Sequence, residues 1–113
     1  MSQFERSTLD SGVVVIKPTG KLNMVAAPVL RKELHAIIDS GHKHVVVDLS
    51  GTELIDSSGL GALISGLKVA RQAGGDLRIA APTRQVTTVL ELTNLNRVLR
   101  AHPSPENAFD DTL

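Results

Sequence analysis

Hydrophobic positions along this chain fall into short β-branched runs that alternate with longer segments of helical spacing. This pattern predicts five strands, within 4–10, 12–22, 42–51, 75–82 and, more briefly, 96–102. In the second of these segments a turn at Pro18, Thr19 and Gly20 is expected to follow the strand. The Asp-Ser-Gly turn at 10–12 suits a tight hairpin, so the first two strands are expected to be antiparallel. Residues 45–49 are almost continuously apolar, which is typical of a strand in the interior of a sheet.

Three segments carry apolar residues at helical spacing: 23–41, 58–73 and 83–95. The first helix is expected to begin near Ala26 or Ala27, because Pro28 is tolerated only in the first turn. Gly41 is expected to end it, and Thr83 can cap the third helix. The inward-facing positions are Ala27, Leu30, Leu34, Ile37 and Ile38, then Leu60, Leu63, Ile64, Leu67 and Ala70, and finally Val86, Val89 and Leu90.

The order of these elements predicts an α/β fold. Helices that alternate with strands indicate a partly parallel, mixed sheet of four to five strands with right-handed crossovers. A chain of 113 residues is expected to cover mainly one face of that sheet with its helices. No internal repeat or interdomain linker is visible, so residues 1–113 are expected to form a single domain, with 103–113 as a tail or a final helical turn.

Composition and charge narrow the classes of function. Lys and Arg together number 12, as do Asp and Glu, so no net field attracts a polyanion. The only aromatic residues are Phe4 and Phe109, which argues against a stacking surface for nucleic acid. The chain has no cysteine, no signal peptide at its start and no apolar run long enough to span a bilayer. A cytoplasmic protein with no membrane or nucleic-acid partner is therefore expected.

The stretch "LIDSSGLGAL" at 54–63 carries the densest chemistry, because Asp56, Ser57 and Ser58 stand where a helix is expected to begin. In the simplest interpretation either serine caps the helix and Asp56 adds a favourable charge. Yet Gly59 and Gly61 weaken a helix by about 1 kcal/mol each relative to alanine, which a cap does not require. Glycines there would let another backbone or a phosphate approach closely.

Enzymatic and metal-dependent alternatives find little support. A serine hydrolase would need a histidine beside the serine and commonly the G-x-S-x-G elbow, which is absent. The four histidines, His35, His42, His44 and His102, are interpreted as solvated or packed side chains. His42 and His44 could alternate toward a metal, but no third ligand suggests itself. A Walker phosphate loop is excluded because Lys68 lies deep in the helix. No catalytic residue, metal ligand or cofactor is predicted.

The stretch "IDSSGLGALISG" together with the upstream "PTGKLN" resembles the anti-sigma factor antagonists, the small proteins of the STAS domain family (sulfate transporter and anti-sigma antagonist). The resemblance covers nearly the whole chain in order and spacing. It implies a mixed sheet with helices on one side. It also implies a protein that binds an anti-sigma factor, itself a serine kinase, and so releases a sigma factor. The kinase would phosphorylate Ser57, the first serine of D-S-S-G, and a separate phosphatase would reset the switch.

The resemblance further suggests which residues meet the partner: Asn23, Met24, Asp56, Ser57, Ser58, Gly59 and Gly61. On this interpretation Asp56 orients the Ser57 hydroxyl or assists the Mg–ATP chemistry of the partner, while Ser58 is the structural cap. Off the apolar stripes, Val25 and Ser65 are also free to face a partner. The family often has Asp where this chain has Asn23, which keeps the hydrogen-bonding shape and loses the charge. The alternative function is a STAS scaffold, or interaction module, whose binding does not depend on phosphorylation.

Overall fold

The structure, a computed structural model, describes residues 4–111. The strands are β1 (Phe4–Thr8), β2 (Val14–Pro18), β3 (Gly20–Leu22), β4 (His44–Asp48), β5 (Thr52–Ile55), β6 (Asp76–Ala80) and β7 (Ala101–His102). The helices are α1 (Ala27–Asp39), α2 (Ser57–Gln72) and α3 (Arg84–Leu92), and single 3-10 turns lie at Leu95–Arg97 and Pro105–Asn107. No helix within the described residues is long and apolar enough to cross a membrane.

Five strands form the main sheet in the order β1-β2-β4-β6-β7. The hairpin pair β1–β2 is antiparallel and every other neighbouring pair is parallel, which confirms the mixed α/β sheet expected from the sequence. The strand β4 lies between β2 and β6, in agreement with its continuous apolar run. The first helix begins at Ala27 as expected, and Gly41 follows its end with a φ of 105°, a conformation that only glycine adopts easily.

The strands β3 and β5 form a second, two-stranded parallel sheet that the hydrophobic pattern did not reveal. The strand expected within 12–22 is confirmed as β2, which ends at Pro18, where a turn was expected. The entry of the chain into a different sheet at Gly20 was not predicted. Both strands are too short for periodicity to be detected. A buried hydrogen bond ties the two sheets together, because the Thr52 hydroxyl donates to the Pro18 carbonyl oxygen at 3.1 Å.

The two faces of the main sheet are covered by different parts of the chain. Alternate strand residues, such as Val14 and Val45, pack in the large core that the buried sides of α1, α2 and α3 complete. The other face packs Val15 and Val46 against Phe109, near the carboxyl-terminal end of the chain. The helices on one face of the sheet were predicted, whereas the packing of Phe109 on the other face was not. Within segment 103–113 the structure has one 3-10 turn, and residues 112–113 lie outside the described range.

A buried arginine fastens that cover to the sheet. Arg78 on β6 donates to the Ala108 carbonyl oxygen at 2.8 Å and to the Asp111 carboxylate, and its guanidinium lies 4.5 Å from the centroid of the Phe109 ring. Burial alone would lower the pKa of Arg78, but hydrogen bonds to Asp111 and Asp76 and the charges of both carboxylates raise it overall. The guanidinium therefore stays charged and holds the end of the chain against β6.

Candidate functional site

The edge where β3 and β5 end brings two helix starts together. Leu22 and Ile55 are paired across this parallel sheet, and the Asp56 amide donates to the Leu22 carbonyl oxygen at 3.3 Å. Asn23 and Asp56 are therefore the first residues beyond two adjacent strands, and each leads into a helix that packs against the other. The residues predicted at 23–24 and at 56–61 thus come from separate parts of the sequence to one edge of the molecule.

Asp56, and neither serine, is the cap of α2. Its extended backbone (φ −115°, ψ −173°) directs a carboxylate oxygen to the Gly59 amide, which donates to it at 3.0 Å. The predictions that Ser58 is the structural cap and the first helical residue are wrong, because α2 begins at Ser57. Aspartate is among the best N-cap residues, and here it also adds negative charge at the positive end of the helix dipole. The Asp56 carboxylate oxygen that caps α2 is therefore already engaged with the protein's own backbone.

Ser57 and Ser58 are consequently left without a structural task. Both side chains are exposed, and within residues 4–111 neither hydroxyl has a hydrogen-bond partner. Their amide groups also lack partners in the described part of the chain, as expected for the first turn of a helix. An oxygen anion attached to Ser57 would therefore meet open N–H groups rather than displace existing contacts.

The two glycines of the motif differ in the space that surrounds them. A Cβ atom on Gly59 would lie 2.4 Å from the Leu22 carbonyl oxygen and 2.8 Å from Cγ1 of Ile55. The close approach that a glycine at this position permits is therefore to the chain's own backbone, and Gly59 is buried. A Cβ on Gly61, in contrast, would meet nothing within 4 Å, and the residue is exposed. The fold explains Gly59 and leaves Gly61 unexplained.

Asn23 shapes the turn that precedes α1. Its side-chain oxygen accepts hydrogen bonds from the Val25 amide at 3.0 Å and the Ala26 amide at 3.2 Å, and its own carbonyl oxygen accepts from Ala27 at 2.8 Å. This turn holds Met24 and Val25 outward, each 72% exposed. Two large apolar side chains in water beside the start of α2 are costly unless something covers them.

An open groove of 720 Å³ runs between α1 and α2 from this edge. Its lining combines small residues with a cationic side, and consists of Met24, Ala27, Pro28, Arg31, Lys32, His35, Ala36, Asp39, Ser58, Gly61 and Ala62. His35 and Ser65 bridge the two helices with a 2.9 Å contact between Nε2 and Oγ. The expectation that Ser65 is free to face a partner is therefore wrong, because its hydroxyl is engaged with α1.

Residues at the start of the third helix form hydrogen bonds with β5, the strand that precedes Asp56. These contacts were not predicted from the sequence. The Thr83 hydroxyl donates to the Thr52 carbonyl oxygen at 3.1 Å, and Gln85 accepts from the Ile55 amide at 3.1 Å. Thr83 also caps α3 as predicted, accepting from Val86 at 3.5 Å. The strand that delivers Asp56 is thus held between β3 and α3. Polar side chains at the start of a helix are expected to be caps, so the sequence carried no signal for this second task.

Two of the four histidines, His35 and His44, contact other side chains of the fold. The His44 ring meets Phe109 edge to face, with ring centroids 5.2 Å apart, and His35 contacts Ser65. Across residues 4–111 no group of three or more His, Cys, Asp or Glu side chains is arranged to hold a metal ion.

A comparison with known families gives an extensive match. The model that describes the STAS domain matches residues 7–108, which is most of the chain. The chain belongs to the STAS domain family. This STAS domain is 30% identical over 100 residues to a Thermotoga maritima protein provisionally named an anti-sigma factor antagonist, and the match covers 88% of each chain. It is 24% identical over 101 residues to the anti-sigma F factor antagonist of Paenibacillus polymyxa, covering 88% of this chain and 86% of that protein.

The fold of this STAS domain is also similar to that of a solved structure. A crystal structure of a Thermotoga maritima protein, also described provisionally as an anti-sigma factor antagonist, superimposes with a TM-score of 0.87 at 29% identity. The superposition covers 96% of this STAS domain and 92% of that chain. The resemblance seen in the D-S-S-G motif and its surroundings therefore extends to the arrangement of strands and helices.

Proposed function

We propose that this STAS domain is an anti-sigma factor antagonist. Its partner is an anti-sigma factor with serine-kinase activity, and binding releases a sigma factor. Phosphorylation of Ser57 ends the complex, and a phosphatase restores binding. The role operates in the cytoplasm, where sigma factors act, and requires no catalysis by the antagonist itself. The names of the relatives support the class of function, and the site geometry supports the position of the switch.

One observation carries the proposal: Ser57 is an exposed hydroxyl with no structural task at the edge where two apolar side chains are held in water. Asp56 has taken over the capping of α2, so modification of Ser57 costs the fold no contact. Met24 and Val25, both 72% exposed, offer the apolar surface that a partner would cover. Gly61 supplies a position where a partner backbone can approach, since a Cβ atom added there would meet nothing within 4 Å.

The size of the switching effect follows from desolvation. A phosphoserine carries about −1.5 to −2 charges at neutral pH. In the free domain this charge faces the positive end of α2 and its open amides, so the fold tolerates it. In the complex the same charge would be buried beside Met24 and Val25, at a cost of several kcal/mol if unpaired. Because about 1.4 kcal/mol is a tenfold change in affinity, one phosphate weakens binding by 100-fold or more.

Phosphorylation is tested with the candidate anti-sigma kinases and Mg–ATP, followed by intact-mass measurement. We expect one added phosphate on the original protein and on Ser58→Ala, and none on Ser57→Ala. Ser58 is the matched control because it is the adjacent exposed hydroxyl in the same helical turn. If Ser57→Ala accepted phosphate as fast as the original protein, Ser57 would not be the switch residue.

Binding is tested by titrating the same anti-sigma factor with three charge variants. Ser57→Asp is expected to weaken the complex strongly, while Thr88→Asp, an exposed position on α3, introduces the same charge away from the site and leaves affinity unchanged. Asn23→Asp preserves the oxygen that accepts from Val25 and Ala26, so its effect isolates the added charge. Equal affinity of Ser57→Asp and the original protein would favour the phosphorylation-independent scaffold instead.

A further inference from the structure

A second charged site lies at the opposite end of α2. Arg71 stands in the last turn of this 16-residue helix, about 20 Å along its axis from Ser57. There a pocket of 240 Å³ opens between the end of α2, the start of β6 and the segment that precedes β7. Its lining is almost entirely polar, and consists of Arg71, Asp76, Leu77, Arg78, Arg97, Val98 and Arg100.

The positive charge in this pocket exceeds what its acids neutralise. Asp76 accepts from Nε of Arg71 through one carboxylate oxygen and from Nε of Arg78 through the other, both at 3.2 Å. Arg78 is further paired with Asp111. Arg97 and Arg100 have no ion-pair or side-chain hydrogen-bond partner within residues 4–111. Four guanidinium groups thus share two carboxylates, although the basic and acidic side chains of the whole chain balance at 12 and 12.

The two unpaired arginines are carried by a fixed segment rather than by a loose loop. Leu99, between them, is completely buried, and its amide donates to the Leu95 carbonyl oxygen at 2.8 Å. The Arg100 carbonyl oxygen accepts from the Ile79 amide of β6 at 3.3 Å. The backbone on both sides of the pocket is therefore held in place before any ligand arrives. Such preorganisation reduces the entropy that binding must overcome.

We propose that this pocket binds a phosphate-type oxyanion. Planar guanidinium groups match the oxygens of phosphate in paired hydrogen bonds, and Arg97 and Arg100 have no protein acceptor that competes for their side-chain donors within residues 4–111. Only Leu77 and Val98 contribute apolar side chains to the lining, so the pocket offers little to a hydrophobic ligand. The same chemistry fits free phosphate and the phosphate of a mononucleotide. The site is separate from Ser57 and does not depend on the proposed sigma-factor switch.

The test is calorimetric titration of the full chain with inorganic phosphate, and then with AMP, against a chloride buffer of equal ionic strength. We expect saturable one-site binding of phosphate. A charge-assisted hydrogen bond contributes enough that Arg97→Gln with Arg100→Gln raises the dissociation constant about tenfold or more. The control, Arg6→Gln with Arg84→Gln, removes two exposed positive charges outside the pocket and should bind as the original does. Binding of Ser57→Asp should also be unchanged.

The affinities for phosphate and AMP distinguish a site for free phosphate from a site for a mononucleotide. Equal affinity for phosphate and AMP identifies a free-phosphate site, and tighter binding of AMP identifies a mononucleotide. Far-UV circular dichroism of both double variants verifies that the fold is intact. The proposal is overturned if phosphate shows no saturable binding, or if the pocket and control variants bind it equally.

Discussion

Two glycines of one helix should respond in opposite directions to the same substitution. At Gly59 an added Cβ would lie 2.4 Å from the Leu22 carbonyl oxygen. This backbone oxygen also accepts a hydrogen bond from the Asp56 amide. At Gly61 the added Cβ would meet nothing within 4 Å. Gly59→Ala and Gly61→Ala therefore form a pair of substitutions, two residues apart in α2, with opposite tertiary surroundings.

The magnitudes follow from helix propensity and overpacking. Alanine in place of glycine favours a helix by about 1 kcal/mol, so Gly61→Ala should stabilise the free domain by up to this amount. Forcing a methyl group into a packed site costs about 1–3 kcal/mol, which at Gly59 outweighs the gain in propensity. For a domain of this size 1 kcal/mol corresponds to about 4 °C in Tm, so the two variants should melt on opposite sides of the original protein.

The assay is urea and thermal unfolding followed by far-UV circular dichroism, because the chain has no Trp or Tyr for fluorescence. An unchanged m-value would show that both variants unfold by the same transition. If Gly59→Ala were as stable as the original protein, the close approach of α2 to β3 would be refuted. Binding of the anti-sigma factor gives a second readout: Gly61→Ala should weaken the complex although it stabilises the domain, if a partner approaches this face.

Two further substitutions test the cap and the arginine that fastens the end of the chain. Asp56→Ala should lower the free energy of unfolding by about 1 kcal/mol because the Gly59 amide loses its acceptor. Asp56→Asn retains the acceptor and should retain most of the stability. Equal unfolding midpoints for the two variants would contradict the capping role. Arg78→Met should cost about 2–3 kcal/mol, since the Ala108 carbonyl and the Phe109 ring lose a charged donor. Because the pKa of Arg78 is raised, its contribution to stability is fully present below the ordinary arginine pKa and is lost only as pH rises through the raised pKa. The difference in stability between Arg78→Met and the original protein should therefore persist in melts from pH 6 to 9.

Much of the fold followed from local pattern. The apolar stripe from Ala27 to Ile38 placed α1, and Pro28 placed its start within one residue. Short apolar segments located β2, β4 and β6, and the Asp-Ser-Gly turn predicted the antiparallel hairpin. The helix after "LIDSS" was also anticipated, although it begins one residue earlier than expected. These features depend on residues within one or two turns of each other, where periodicity and steric rules operate.

The candidate site was predicted by its residues but not by its geometry. Three neighbouring side chains, Asp56, Ser57 and Ser58, are all competent caps, and residue type alone does not choose among them. The choice depends on where the chain leaves β5, since the backbone of Asp56 is extended and paired to Leu22. Sequence reasoning therefore gave the structural task to Ser58, whereas the structure gives it to Asp56 and leaves both serines exposed.

The sequence by itself determined the succession of strands and helices, the inward faces of the helices and the motif of the STAS family. Only the tertiary structure decided that β3 pairs with β5, that Gly59 is required by Leu22, and that Arg97 and Arg100 meet the end of α2 in one pocket. The physical reason is the range of the interactions. Hydrogen bonds within a helix and alternation along a strand join near neighbours, whereas a strand register or a packed backbone contact joins segments that approach only after the chain has folded.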